Sequence, residues 1–127
     1  MKPSKVEVRP SPGRGRGVFA IQPIGCDELI ESCPVILFEP KYRAVLEATP
    51  LYGYLYGWSH DSSEVAIALG YGSLYNHSDE PNASYHTNRS RDAIDFIATT
   101  VIAVDEEITI SYLDPSESPR KLWFKAV

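Results

Sequence analysis

The chain is short of several things that would decide its class early. Only Cys26 and Cys33 are present, seven residues apart and without a CxxC pair, so neither a disulfide framework nor a thiolate zinc site can be built, and no metal is expected. Both are read as reduced core thiols, the usual fate of free cysteine. No apolar stretch reaches the roughly 20 residues of a membrane span. The opening MKPSKVEVRP lacks the apolar centre of a secretory signal, so an intracellular protein without a membrane partner is expected. The same expectation discounts glycosylation at Asn76-His77-Ser78, Asn82-Ala83-Ser84 and Asn88-Arg89-Ser90, which needs a secretory lumen. Basic charge is scarce too: 12 Lys and Arg face 17 Asp and Glu, a net charge of −5. Neutralising phosphates needs the opposite balance, so a direct nucleic-acid partner is disfavoured and a basic one suits better. With three histidines and no G-x-S-x-G elbow around Ser78, a serine hydrolase is set aside.

What the chain does have is 43% hydrophobic residues in 127, enough for one domain with a modest core. Short β-branched runs separated by glycine and proline predict a mostly-β fold of several small sheets. The candidate strands are Lys5–Val8, Gly17–Ile21, Leu29–Ser32, Val35–Phe38, Val65–Leu69, Ala83–His86, Ile94–Ala98 and Ile108–Tyr112. Pro10, Pro12, Pro23, Pro34 and Pro40 should end strands or confine them to edges. Tyr42, Val45 and Leu46 at i, i+3, i+4 predict a short helix over Lys41–Ala48, stopped by Pro50. Ser118-Pro119 predicts the start of a terminal helix through Leu122, Trp123 and Phe124.

Three stretches could carry chemistry. In Pro12-Gly13-Arg14-Gly15-Arg16-Gly17-Val18, glycines at alternate positions lead into a strand, which lets a backbone approach a ligand closely. The spacing is not G-x-G-x-x-G and no helix follows, so a dinucleotide fold is excluded. A plain hairpin loop remains open, as does an Arg-Gly nucleic-acid segment, which the acidity opposes. In Tyr75-Asn76-His77-Ser78-Asp79-Glu80-Pro81-Asn82, Asn and His offer donors and acceptors that can hold a heteroaromatic ligand or pin two loops together. In Asp105-Glu106-Glu107-Ile108-Thr109-Ile110-Ser111-Tyr112, alternation puts Ile108, Ile110 and Tyr112 on the core side.

Taken in this order, the glycine turn, the Asn-His-Ser segment and the Glu-Glu-Ile-Thr-Ile-Ser-Tyr strand resemble the SET-domain family of protein lysine methyltransferases, over about Val6 to Trp123. The resemblance implies one SET domain over residues 1–127, built of small sheets around a threaded, pseudoknot-like core, with 113–127 as a short closing segment. It implies S-adenosyl-L-methionine as cofactor, held by Arg14, Gly15, Arg16, Gly17, Asn76 and His77, with Trp123 or Phe124 over the adenine. By the same resemblance Tyr112 is the catalytic residue, and Tyr54, Tyr85 and Tyr112 line a channel for the substrate lysine. Which of Tyr52, Tyr54 and Tyr56 supplies the first wall stays open, because the insert around them aligns loosely.

The expected partner is a basic, histone-tail-like segment, with Glu64, Asp79, Glu80 and Asp92 as candidate acidic lining. No cysteine-rich flank is available to close the channel, as in the minimal SET proteins of viruses and some bacteria. A homodimer touching through Tyr56, Trp58 and the insert is one way to complete the groove. The alternative function is a catalytically silent SET-fold module that binds peptide.

Overall fold

The computed structural model describes residues 5–58 and 64–112. Strands β1 (Val6–Ser11) and β2 (Gly15–Ala20) pair antiparallel from Val6 opposite Ala20 to Ser11 opposite Gly15. Their connection holds Gly13 and Gly15 at φ of 76° and 77°, a region that a Cβ disfavours. The glycine stretch is thus a hairpin turn, and β1 runs past Pro10. That proline is tolerated because β1 is the outer strand of a four-stranded sheet ordered β1-β2-β9-β6, where its missing N–H costs no inner ladder bond.

Strand β9 (Glu107–Ile110) lies inside this sheet. It pairs antiparallel with β2 through Val18 opposite Ile108 and Phe19 opposite Glu107. On its other side it runs parallel to the two-residue β6 (Asn76–His77), with Asn76 opposite Thr109 and His77 opposite Ile110. One strand therefore gathers the glycine turn, the Asn-His pair and the C-terminal motif. The expected threading of a C-terminal segment, the terminal helix from Pro119 and Trp123 all fall outside the described residues.

A second sheet is ordered β4-β5-β3-β8-β7, with β3 at Leu29–Phe38, β4 at Leu55–Gly57, β5 at Val65–Ala68, β7 at Ala83–Asn88 and β8 at Ala93–Ala98. The expected break at Pro34 does not occur. β3 instead changes partners there: Leu29–Pro34 pairs with β8 and Val35–Phe38 with β5. The Pro34 carbonyl accepts from Leu69 N at 2.8 Å and Val35 N donates to the Asp92 carbonyl, so the absent N–H falls where one ladder hands over to the other.

The predicted helix over Lys41–Ala48 splits into a 3-10 turn (Pro40–Tyr42) and α1 (Arg43–Glu47), and a second 3-10 turn follows at Pro50–Tyr54. Its expected apolar face stays out of the core: Val45 is 65% exposed, and five residues of helix are too few to carry a buried stripe. The core draws on both sheets, with Val18, Ile24, Ile94, Phe96, Ile102, Ile108 and Ile110 fully enclosed.

Cys33 is a core thiol as expected, but Cys26 is exposed. It sits beside Asp27, held at φ 68° in the β2–β3 turn, where its Sγ reaches only the Thr99 carbonyl at 3.4 Å. Trp58 is buried, 5% exposed, with the Arg89 guanidinium 5.8 Å from its ring centroid and hydrogen-bonded to its carbonyl. Its side chain is thereby removed from the expected dimer surface. Among the described residues no helix is long and apolar enough to cross a membrane, and no cluster of His, Cys, Asp and Glu could hold a metal ion.

Candidate active site

The β6–β9 pairing sets the site, because it brings residues some thirty positions apart into hydrogen-bonding range. The Asn76 amide donates to the Arg16 carbonyl at 2.9 Å and to Glu107 Oε2 at 2.7 Å. Arg14 Nη1 donates to the His77 carbonyl at 2.9 Å. Gly17 permits this approach: a Cβ there would meet Asn76 Nδ2 at 2.9 Å and run into the Glu107 carboxylate.

His77 then connects this cluster to Tyr112. Its Nδ1 accepts from the Tyr112 backbone N–H at 3.0 Å, so in the neutral ring the proton sits on Nε2, which lies 3.0 Å from Asp79 Oδ1. The two rings lie 5.2 Å apart. Regular pairing ends at Ile110, so Tyr112 lies just beyond the strand it was expected to finish, although its side chain does pack on the core. The bond from His77 holds it there in place of a ladder.

The Tyr112 hydroxyl donates to the Tyr75 carbonyl at 2.7 Å. Tyr75 is itself fixed, its ring stacked on Phe96 at 4.5 Å and its hydroxyl donating to Glu31 Oε1 at 2.6 Å. Around them opens an aromatic cleft of about 500 Å³, mouth included, lined by Tyr54, Tyr56, Tyr75, Tyr85 and Tyr112. Tyr56 meets Tyr85 edge-on at 5.0 Å and donates its hydroxyl to the Gly72 carbonyl at 2.7 Å. Burial pushes the Tyr56 and Tyr75 phenols well above the ordinary value; the nearby Tyr85 phenol adds to it at Tyr56, and Glu31 adds to it at Tyr75. Burial also pushes Tyr112 up to about 12, with Tyr54 adding to it and the Arg14 cation working against it. These phenols are neutral at physiological pH, and the wall they make is uncharged.

The expected site residues thus fall into two groups that Tyr112 joins. Arg14, Arg16, Gly17, Asn76 and His77 come together around β6 and β9, Arg16 through its carbonyl, with Gly15 supplying the turn's positive φ. Tyr54, Tyr85 and Tyr112 line one cleft together with Tyr56, and Tyr52 is not on its wall. Sequence reasoning did not assign Tyr75, Ser11 or Glu107 to this network, and it placed Asn82 in the polar segment without naming its partners. Glu107 lies in the motif singled out above, on the strand face it shares with Thr109, opposite the buried Ile108 and Ile110.

The residues fit a cofactor with an amino acid end. The Asn76 NH2 group is taken up by the Arg16 carbonyl and Glu107, which leaves its Oδ1 as an acceptor for an ammonium group.

Two small curled sheets, a parallel strand pair that joins an Asn-His segment to a strand ending near a tyrosine, and a glycine hairpin against both define the SET architecture. The family described as SET domain matches residues 15–113, and the chain belongs to it. A histone-lysine N-methyltransferase of Schizosaccharomyces pombe, specific for H3 lysine 37, is 35% identical over 123 residues, 96% of this chain and 78% of that protein. A solved structure from Plasmodium falciparum, of a protein assigned as a histone methyltransferase, is 34% identical and superposes with a TM-score of 0.67, covering 89% of this chain and 95% of the other.

Proposed function

We propose that this chain is an S-adenosyl-L-methionine-dependent protein-lysine N-methyltransferase whose substrate lysine lies in a basic, histone-like segment. Membership of the SET family and the two relatives support the class of enzyme, a protein-lysine methyltransferase. The observation that carries the finer reading is the double attachment of Tyr112. Its backbone N–H is held by His77, beside Asn76 and the glycine turn, while its phenol forms part of the aromatic cleft.

Arg14, Gly15, Arg16, Gly17, Asn76 and His77 would hold the cofactor. When bound, it supplies an electrophilic methyl group on a sulfonium. The amine of the substrate lysine would receive that methyl, and its surplus proton would pass to water. The protein's main task is alignment.

The amine must arrive neutral, and a lysine with an ordinary pKa near 10.4 does not. A cleft walled by uncharged tyrosines desolvates the ammonium and disfavours it, and bringing the pKa to about 8 shifts the balance by roughly 3 kcal/mol, within what burial achieves. Tyr112, pushed up to about 12 and donating to the Tyr75 carbonyl, is no general base at neutral pH. Its oxygen acts toward the cleft as an acceptor, suited to weak C–H···O contacts from a polarised methyl. The ring faces of Tyr54, Tyr56 and Tyr85 suit methylated ammonium through cation–π attraction. The excess of acids over bases supports a basic partner.

Calorimetry with S-adenosylhomocysteine, run beside transfer of labelled methyl to histone tails, tests this. Binding and transfer are expected, and Tyr112→Phe should cut turnover about 100-fold or more while leaving cofactor affinity within about twofold. No binding at millimolar ligand removes the proposal. Binding without transfer to any basic protein favours a silent peptide-binding module.

A further inference from the structure

The neighbours of Asn76 tell its two amide ends apart. Nδ2 faces the Arg16 carbonyl and Glu107 Oε2, at 2.9 and 2.7 Å. A carbonyl and an ionised carboxylate only accept, so the NH2 end must be the one that faces them. Reversing the amide would set Oδ1 against two oxygens. In the observed sense Oδ1 points the other way; among the described residues nothing donates to it, and it is not sealed from solvent.

Glu107 is held as firmly as the amide it orients. Its Oε1 accepts from the Ser11 hydroxyl at 2.9 Å, and Ser11 is 4% exposed. Its backbone is set by pairing with Phe19. The carboxylate sits in the gap that Gly17 leaves open, where a Cβ would come within 3.0 Å of Glu107 Cδ. Ser11, Gly17 and Glu107 thus build a fixed acceptor beside the Asn-His segment, supplied by three strands of the sheet to which that segment belongs.

The geometry points to Glu107 as a positioning residue that turns the Asn76 amide oxygen toward the ammonium group of the cofactor's amino acid end. This rests on the S-adenosylmethionine reading above. An ammonium only donates, so it is recognised by an acceptor and repelled by an NH2 group. Without Glu107 the amide would be fixed by the Arg16 carbonyl alone and would present its oxygen for only part of the time.

The test is a cycle between protein and ligand, read by calorimetry on S-adenosylhomocysteine and on its analogue with hydrogen in place of the α-amino group. Glu107→Ala is expected to weaken S-adenosylhomocysteine about tenfold, the worth of one charge-assisted hydrogen bond, and the desamino analogue less than about twofold. Glu107→Gln, neutral but still carrying an acceptor oxygen, should bring S-adenosylhomocysteine back to within about threefold of the wild type. Should Glu107→Ala fail to fold, Ser11→Ala, which releases Oε1, carries the same comparison, with the loss again confined to the ligand that has the amine. Equal losses for both ligands overturn the inference, because they report general loosening. A Gln variant as poor as Ala also overturns it, since charge and not orientation would then be at work. A wild type that binds both ligands equally well overturns it while leaving the proposed function standing. A wild type that binds neither overturns both.

Discussion

Asn82, 8% exposed, ties together chain segments that local structure would leave apart. Its Nδ2 donates to the Glu107 carbonyl at 2.9 Å and to Glu106 Oε2 at 3.2 Å, its Oδ1 accepts from Thr109 N at 2.8 Å, and its own carbonyl accepts from Thr99 N at 2.9 Å. Truncation to alanine would strand a backbone N–H and a C=O of β9 in a half-buried setting, at a cost of about 1–3 kcal/mol. Urea unfolding of Asn82→Ala should show a lower midpoint with an unchanged slope; an unchanged midpoint would mean water replaces the amide without loss. In sequence Asn82 reads as a turn residue after Pro81, and its real partners lie 24 to 27 positions away. Residues whose role is set by such distant partners are the ones that sequence reading missed, with Ser11 and Glu107 among them. Asn76, His77 and Tyr112 could be singled out because they stand in recognisable motifs, and Tyr85 only through the resemblance; the structure places Asn76 and His77 in one network with Tyr112, and Tyr85 on the cleft that Tyr112 lines.

At the level of elements, strands carried by short β-branched or aromatic runs were legible: β5, β7, β8 and β9 fall within a few residues of expectation. Those defined by their partners were not. β6 is two residues long and exists because β9 runs beside it. β4 was hidden in an aromatic stretch, and finding it decides that Tyr56 faces the cleft wall. The turn between β5 and β6 is packed as tightly as any strand. A Cβ on Gly72 would lie 2.6 Å from Ala68 Cβ and 3.0 Å from Cys33 Sγ, both short and rigidly placed. The Gly72 carbonyl also receives the Tyr56 hydroxyl. Gly72→Ala is therefore expected to destabilise by about 1–3 kcal/mol through overpacking, and to displace Tyr56. A calorimetric melt should move downward; a melting temperature equal to that of the parent would show that the turn has room the packing denies it.

For the molecule as a whole, the aromatic cleft is a store of buried neutral phenols, and that has a consequence for stability. Tyr56 and Tyr75 are raised well above the ordinary tyrosine value and Tyr112 up to about 12, in each case chiefly by burial. In the unfolded chain all three would ionise near pH 10. Between that pH and the folded values the native state keeps protons that the unfolded state has lost, so stability falls as pH rises. It is fully present below about pH 10 and drains away through about 12 and beyond. The cleft joins the two sheets, since Tyr75 leads into β6 while its ring stacks on Phe96 of β8. Ionising these phenols should consequently unfold both sheets together and not detach a loop. Alkaline titration, followed in parallel by tyrosinate absorbance and far-ultraviolet circular dichroism, is expected to show the exposed tyrosines ionising first, with the buried ones released only as the β-signal collapses. If all eight tyrosines titrate as one class near pH 10 while the strands remain intact, the fold does not raise these phenols and the alkaline loss of stability has another source.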